Sequence, residues 1–203
     1  MTIHTLWPTF VLAEENFLPD HEYVKIRDYI SSEFKRQKTF PLINFDHVNI
    51  PQELRFFVTC MNTAFYNYCV EAKLPLEEFD LSNIQAHSIP KYNRQMSHEH
   101  IMEPHHDIGE GAYLAVVYYV EFDETESEEH FVGGELAIYR ELSSMDYPDG
   151  IIHVKPRENK LAMFPARLVH RLKPYFGNKN RVTIACLYSK ERNEVQNKII
   201  KTY

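Results

Sequence analysis

The feature that most constrains the fold is a change in hydrophobic periodicity near residue 80. From Leu81 onward, short runs of apolar, aromatic and β-branched residues replace helical spacing, as is typical of β-strands. Glycine and proline turns separate these runs, for example Gly133-Gly134 and Gly177-Asn178. The predicted strands are Tyr113–Val120, Glu135–Tyr139, Ile151–Val154, Lys160–Phe164, Leu168–Leu172 and Arg181–Tyr188. Many short strands joined by such turns predict a sandwich or barrel.

The residues before this change predict helices that support one sheet. Apolar residues recur at helical spacing after Asp20 and again after Pro51, and Pro75 is expected to end the second helix. We therefore expect a mainly β protein with N-terminal helices, two or three in number. A single domain is predicted over 1–203, with helical support and the first strands in 1–80. The β core then occupies 81–190, and a C-terminal tail occupies 191–203.

Charge and composition exclude several classes of function. The net charge of −7 argues against nucleic acid as the main partner, and no apolar run approaches the roughly 20 residues that span a bilayer. The N-terminus lacks the pattern of a secretory signal. The three cysteines are odd in number and lack zinc-like spacing, which favours reduced thiols and a cytoplasmic location.

Two histidines and one aspartate have the composition of a ferrous-iron site. His105 and Asp107 are two residues apart, and alternate side chains of an extended segment point to the same face. His170 follows later, on an apolar strand-like run. Two imidazoles and one carboxylate form the facial triad that leaves open positions on non-haem iron. Any one of these residues alone would be weak evidence in a chain with eleven histidines.

Arg181 adds a second element to this pattern. Arg181 and Thr183 lead an otherwise apolar face of the last predicted strand. A guanidinium in such a position is costly to bury without an anionic partner, and its planar donor fork matches a carboxylate. A dicarboxylate cosubstrate whose far carboxylate binds here, with the Thr183 hydroxyl as a second donor, accounts for both residues.

These residues lie in segments that resemble the iron- and 2-oxoglutarate-dependent dioxygenases, in particular the prolyl-hydroxylase-like branch. The matching segments are EPHHDIG, YLAVVYYV, GGELAIY and KLAMFPARLVHRLKPYFGNKNRVTIACLY. The resemblance implies a double-stranded β-helix (jelly roll) that binds Fe(II), 2-oxoglutarate and dioxygen, with ascorbate as a candidate further cofactor. It assigns His105, Asp107 and His170 to the metal. It assigns Arg181, Tyr119 and Tyr92 to the cosubstrate, although Tyr118 could exchange places with Tyr119 if the register shifts by one residue.

The same resemblance implies an enzyme that hydroxylates an unactivated C–H bond and releases succinate and carbon dioxide. A peptidyl proline is the leading substrate, and other protein or peptide side chains and small molecules stay open. The sequence contains no recognisable substrate-binding signature, so the substrate rests on the resemblance alone.

Two alternatives remain open at the level of sequence. His98, His100 and Glu103 resemble the His-x-His and Glu set of cupins, which are also jelly rolls, although this set does not explain Arg181. A non-enzymatic jelly-roll binding module is the other alternative, because a fold does not determine a function.

Overall fold

The computed structural model describes residues 2–6, 9–37, 42–74, 79–90, 105, 107, 112–125, 132–139 and 150–190. These residues form strands and two helices, in the order β1 (Thr2–Leu6), β2 (Thr9–Glu14), α1 (Asp20–Gln37), β3 (Leu42–Phe45), α2 (Gln52–Glu71), β4 (Phe79–Ile89), β5 (Ala112–Glu121), β6 (Leu136–Tyr139), β7 (Ile151–Val154), β8 (Lys160–Pro165), β9 (His170–Leu172) and β10 (Arg181–Lys190).

The strands form two antiparallel sheets. The larger sheet has the order β1-β2-β8-β5-β10-β4-β3, and the smaller one has the order β7-β6-β9. The strand β10 is central to the larger sheet, where it pairs with β4 on one side and with β5 on the other. The predicted mainly β fold with supporting helices is confirmed.

Both helices pack on one face of the larger sheet. Val182, Ile184, Cys186 and Tyr188 of β10 point into this core, as expected for alternate residues of a strand. The Phe65 ring of α2 stacks on the Tyr188 ring at 4.1 Å between centroids. The helix α2 ends at Glu71 and is followed by its cap residue Ala72 and by Lys73, which is left-handed with φ of 54°. The predicted stop at Pro75 lies just beyond, outside the described residues.

The smaller sheet packs on the opposite face of the larger one. Its residues Leu136, Ile138 and Val154 meet Ala162 and Phe164 of β8 in a second apolar core. Because β6, β7 and β9 cover only part of the larger sheet, the remaining part of this face can present polar side chains. Arg181 and Thr183 lie on this face.

The predicted strands of the β core are present, with small differences at their ends. The largest differences are of two residues. The prediction began a strand at Leu168 that the structure begins at His170, and it ended the last strand at Tyr188, whereas the structure continues it to Lys190. The strands β1, β2 and β3 were expected only as unspecified first strands, and β4 (Phe79–Ile89) was not among the predicted strands. Neither of the two described helices is long and apolar enough to cross a membrane.

Candidate active site

Three backbone hydrogen bonds fix the segment that carries His105 and Asp107. The His105 N–H donates to the His170 carbonyl at 3.0 Å, and the His170 N–H donates to the His105 carbonyl at 2.8 Å. The Asp107 N–H donates to the Ala166 carbonyl at 3.0 Å. An isolated antiparallel bridge therefore holds the His-x-Asp segment beside β9.

This bridge brings the ligating atoms of three side chains together. One potential ligand atom from each of His105, Asp107 and His170 lies within 4.8 Å of the other two. The His105 Nε2 is 3.9 Å from Asp107 Oδ1, and the His170 Nε2 is 3.7 Å from Asp107 Oδ2. The two imidazole rings are 4.3 Å apart and inclined by 54°. Two imidazoles and a carboxylate at this spacing fit a metal such as Fe(II).

The surroundings of His170 orient its ring for ligation. Its Nδ1 is 3.0 Å from the Leu168 carbonyl, which can only accept a hydrogen bond. A proton on Nδ1 leaves the Nε2 lone pair available to a metal, a common arrangement for ligating histidines. The edge of the Phe164 ring packs against the imidazole at 4.9 Å between centroids. The tautomer is thus set by the backbone.

The three side chains differ in their exposure to solvent. The His170 side chain is 8% exposed, whereas the side chains of Asp107 and His105 are 20% and 34% exposed. The site is therefore closed behind His170 and more open on the side of the His-x-Asp segment. A substrate can approach from that open side.

A second cluster lies on the same face of the larger sheet. Thr183 of β10 is directly opposite Tyr119 of β5, so both side chains and that of Arg181 lie on one face. Arg181 and Thr183 are each 4% exposed, and Tyr119 is fully buried. The guanidinium carbon of Arg181 is 5.2 Å from the centre of the Tyr119 ring.

Two polar atoms of this cluster are buried without a hydrogen-bond partner among the residues that the structure describes. They are Nε of Arg181 and the hydroxyl of Tyr119. Burial lowers the pKa of Arg181 and raises the pKa of Tyr119, because both charged forms lose contact with water. A buried cation and an unused donor beside it form a pocket that fits a carboxylate.

Close packing restricts the position of the Arg181 side chain. Gly134 has a φ of +75° and lies against it, such that a Cβ at this glycine would be 3.6 Å from Arg181 Cδ and 3.0 Å from Tyr175 Cδ2. The Tyr175 hydroxyl donates to the Lys179 carbonyl at 2.8 Å, which fixes this ring. The Gly133-Gly134 pair was expected only as a turn, and Tyr175 carried no signal in the sequence.

The structure brings together most of the residues that the sequence singled out. Asp107 and the two histidines form one cluster, and Arg181, Thr183 and Tyr119 form the other. Tyr118 points to the opposite face, where its hydroxyl donates to Asn159 Oδ1 at 2.9 Å. Four other candidates, Tyr92, His98, His100 and Glu103, lie outside the described residues, so the alternative cupin-like set stays a prediction.

Comparison with known proteins gives the class of the chain. The sequence profile of the 2OG-Fe(II) oxygenase superfamily matches residues 90–189, a range that contains both clusters. Among curated proteins, no sequence matches the chain. Many solved structures have the same fold.

Several of these structures are prolyl hydroxylases. A prolyl-4-hydroxylase from Pseudomonas putida is 15% identical with a TM-score of 0.62, over 89% of this chain and 92% of that one. The collagen prolyl hydroxylase of Paramecium Bursaria Chlorella virus-1, in complex with 2-oxoglutarate, is 13% identical with a TM-score of 0.58. The match covers 88% of this chain and 94% of that one. A prolyl hydroxylase from Trichoplax adhaerens, in complex with a peptide fragment of the hypoxia inducible factor oxygen degradation domain, is 16% identical with a TM-score of 0.58, over 92% and 86%.

Residues 90–189 therefore match a 2OG-Fe(II) oxygenase domain, and 2-oxoglutarate-dependent dioxygenases are the class of enzyme that the chain resembles. Within that class, it has the fold of the prolyl-hydroxylase-like branch, as the sequence resemblance indicated.

Proposed function

We propose that His105, Asp107 and His170 ligate Fe(II). The observation that carries this proposal is the convergence of their ligating atoms within 4.8 Å. The hydrogen bond from His170 Nδ1 to the Leu168 carbonyl supports it, because it directs Nε2 towards the same point. The donor set has the composition that Fe(II) oxygenases use.

Arg181, Tyr119 and Thr183 then hold the distal carboxylate of 2-oxoglutarate. The guanidinium fork donates two parallel hydrogen bonds to one carboxylate, and the buried Tyr119 hydroxyl donates a third. The charge of the carboxylate offsets the cost of burying Arg181. Tyr92, which lies outside the described residues, is proposed for the same pocket on the basis of sequence resemblance.

The protein residues position the reactants and keep water away from them. When bound, Fe(II) and 2-oxoglutarate would supply oxidative decarboxylation and C–H oxidation, with dioxygen as the oxidant and with succinate and carbon dioxide as products. Phe164 shields His170, and the second apolar core closes this side of the site. The ligands His105 and Asp107, which are more exposed, face the side from which the substrate approaches.

The substrate we propose is a proline residue in a peptide or protein. The prolyl-hydroxylase neighbours support this proposal, and one of them is in complex with a peptide fragment. A cytoplasmic location and the lack of a nucleic-acid partner remain predictions from composition.

Two measurements test this function. Anaerobic addition of Fe(II) and 2-oxoglutarate to the protein should give a weak visible charge-transfer band. With air and a library of proline-containing peptides, succinate release should accompany a mass gain of about 16 Da, the mass of one oxygen atom.

Variants at Asp107 make the test specific. Asp107→Ala should abolish both signals, whereas Asp28→Ala, which removes an exposed carboxylate on α1, should leave both unchanged. Succinate release with small metabolites but with no peptide would contradict the proline assignment. An unchanged band in Asp107→Ala would contradict the proposed metal site.

A further inference from the structure

His87 on β4 lies beside the cluster that contains Arg181. It is directly opposite Thr183 on β10 and opposite Leu42 on β3. Tyr119, Thr183 and His87 therefore occupy adjacent positions in one row across three strands. Because directly paired residues of antiparallel strands point to the same face, His87 shares the face of Arg181.

The alternation of burial along β4 agrees with this orientation. Ile84, Ala86 and Ser88 are buried on the helix side of the sheet, whereas Gln85 and His87 are only half-buried on the other side. Within the described part of the chain, no hydrogen bond of the His87 imidazole is found. Its ring is therefore available to a ligand.

The register of the sheet places His87 diagonally opposite Arg181, because His87 pairs with Thr183 and Arg181 pairs with Ile89. Burial lowers the pKa of His87, and the positive charge of Arg181 lowers it further. The other described residues that face it from the packed strands, Tyr119, Thr183 and Leu42, are neutral. His87 is thus uncharged near neutral pH and can donate one N–H.

We propose that His87 is a further binding residue for 2-oxoglutarate, which donates a hydrogen bond to the distal carboxylate from the β4 side of the pocket. This inference rests on the proposed function of Arg181. An ionised carboxylate accepts about four hydrogen bonds. The guanidinium fork of Arg181 supplies two of them, and donors on both sides of the fork supply the others. Tyr119 lies on the β5 side of Thr183, and His87 lies on its β4 side.

Binding of the dicarboxylate should change the protonation of His87. A carboxylate beside Arg181 offsets the positive charge that lowers the pKa of this histidine. The pKa of His87 therefore rises when 2-oxoglutarate binds. As the pH falls through the pKa of His87, 2-oxoglutarate should bind more tightly. This readout is independent of turnover.

The experiment uses full-length protein loaded with Zn(II), which is diamagnetic and inactive in redox chemistry. The Cε1–H resonance of His87 is followed by NMR across pH with and without 2-oxoglutarate, and is assigned by its loss in His87→Gln. We expect 2-oxoglutarate to shift this resonance and to raise its titration midpoint. In calorimetry, His87→Leu should weaken 2-oxoglutarate binding about tenfold, the effect of losing one hydrogen bond to a charged group.

Two further variants serve as matched controls. His87→Gln keeps a neutral donor and should bind 2-oxoglutarate within about threefold of the wild type, because its hydrogen bond is conserved. Gln85→Leu makes a similar change two residues away, opposite Ala185, and should bind as the wild type does.

The outcomes separate this inference from the proposed function. If Arg181→Met loses 2-oxoglutarate binding while His87→Leu keeps it and the His87 resonance does not move, only the role of His87 is overturned. If the wild type does not bind 2-oxoglutarate, or Arg181→Met binds it normally, both proposals are overturned. The NMR titration is measured on the wild-type protein, and a variant, His87→Gln, is needed only to assign the resonance.

Discussion

Replacement of Arg181 by methionine should raise the free energy of unfolding of the protein without 2-oxoglutarate. The same replacement should abolish 2-oxoglutarate binding. The buried Nε of Arg181 has no hydrogen-bond partner among the described residues. An unsatisfied buried donor costs about 1 to 3 kcal/mol. The contact of the guanidinium with the Tyr119 ring recovers about 0.5 to 2 kcal/mol. Methionine has a similar length without the charge, so we expect the variant to gain about 1 kcal/mol, the difference between these terms.

The assay is thermal unfolding with and without 2-oxoglutarate. Without it, the variant should unfold about 2 to 4 °C above the wild type, the shift expected for 1 kcal/mol in a chain of this size. With 2-oxoglutarate at a hundred times its dissociation constant, the wild type should gain about 2.7 kcal/mol. The variant should gain nothing.

Either of two results would refute this reasoning. A free variant that is less stable than the wild type by about 2 kcal/mol or more would show that the guanidinium is well paired before the cosubstrate binds. A variant that 2-oxoglutarate still stabilises would show that the carboxylate binds elsewhere. Lys155→Met, which removes a charge from the loop between β7 and β8, controls for the general effect of removing a cation.

Four other substitutions have distinct expected outcomes. Tyr118→Phe should lower the free energy of unfolding by about 1 kcal/mol, because its hydrogen bond to Asn159 is lost, and should leave the affinity for 2-oxoglutarate unchanged. Tyr119→Phe should raise the free energy of unfolding, because it removes a buried hydroxyl that has no partner among the described residues, and should weaken the affinity for 2-oxoglutarate about fivefold. Calorimetry and urea unfolding of both proteins check this contrast, and equal effects would contradict it. Gly134→Ala places a side chain at a φ of +75°, so it should lower the free energy of unfolding by about 1 to 3 kcal/mol, measured in urea. An unchanged free energy of unfolding would show that the backbone at this position can adjust. The folded-state pKa of His87 lies below its unfolded value, so the unfolded chain binds more protons and stability falls as the pH drops below about 6.5. His87→Gln should therefore lose less stability than the wild type in urea unfolding at acidic pH, and an identical loss would place the imidazole in water.

The elements that the sequence predicted well are those in which one periodicity dominates. In β10, Val182, Ile184 and Cys186 alternate with Arg181 and Thr183, so both faces of the strand could be predicted without coordinates. The helix spacing after Asp20 was similarly clear, and Tyr23, Ile26 and Ile30 are buried in the structure.

The elements that were missed depend on contacts between distant segments. The strands β1 to β3 are short and lie at or near the two edges of the larger sheet, where partners rather than apolar residues define a strand. His87 is one of eleven histidines, and only its register opposite Thr183 distinguishes it from the others. Tyr175 likewise gains a role only because Gly134 brings the chain close to Arg181.

The backbone bridge between His105 and His170 implies that the metal ion can be removed from this protein and then added back. The bridge and the hydrogen bond from Asp107 to Ala166 use main-chain atoms alone, so a chelator that strips the ion would leave them intact. The apoprotein should then stay folded during dialysis and regain activity when ferrous salt is returned. Divalent ions that are inactive in redox chemistry, such as Zn(II), should bind the same three ligands reversibly and compete with iron.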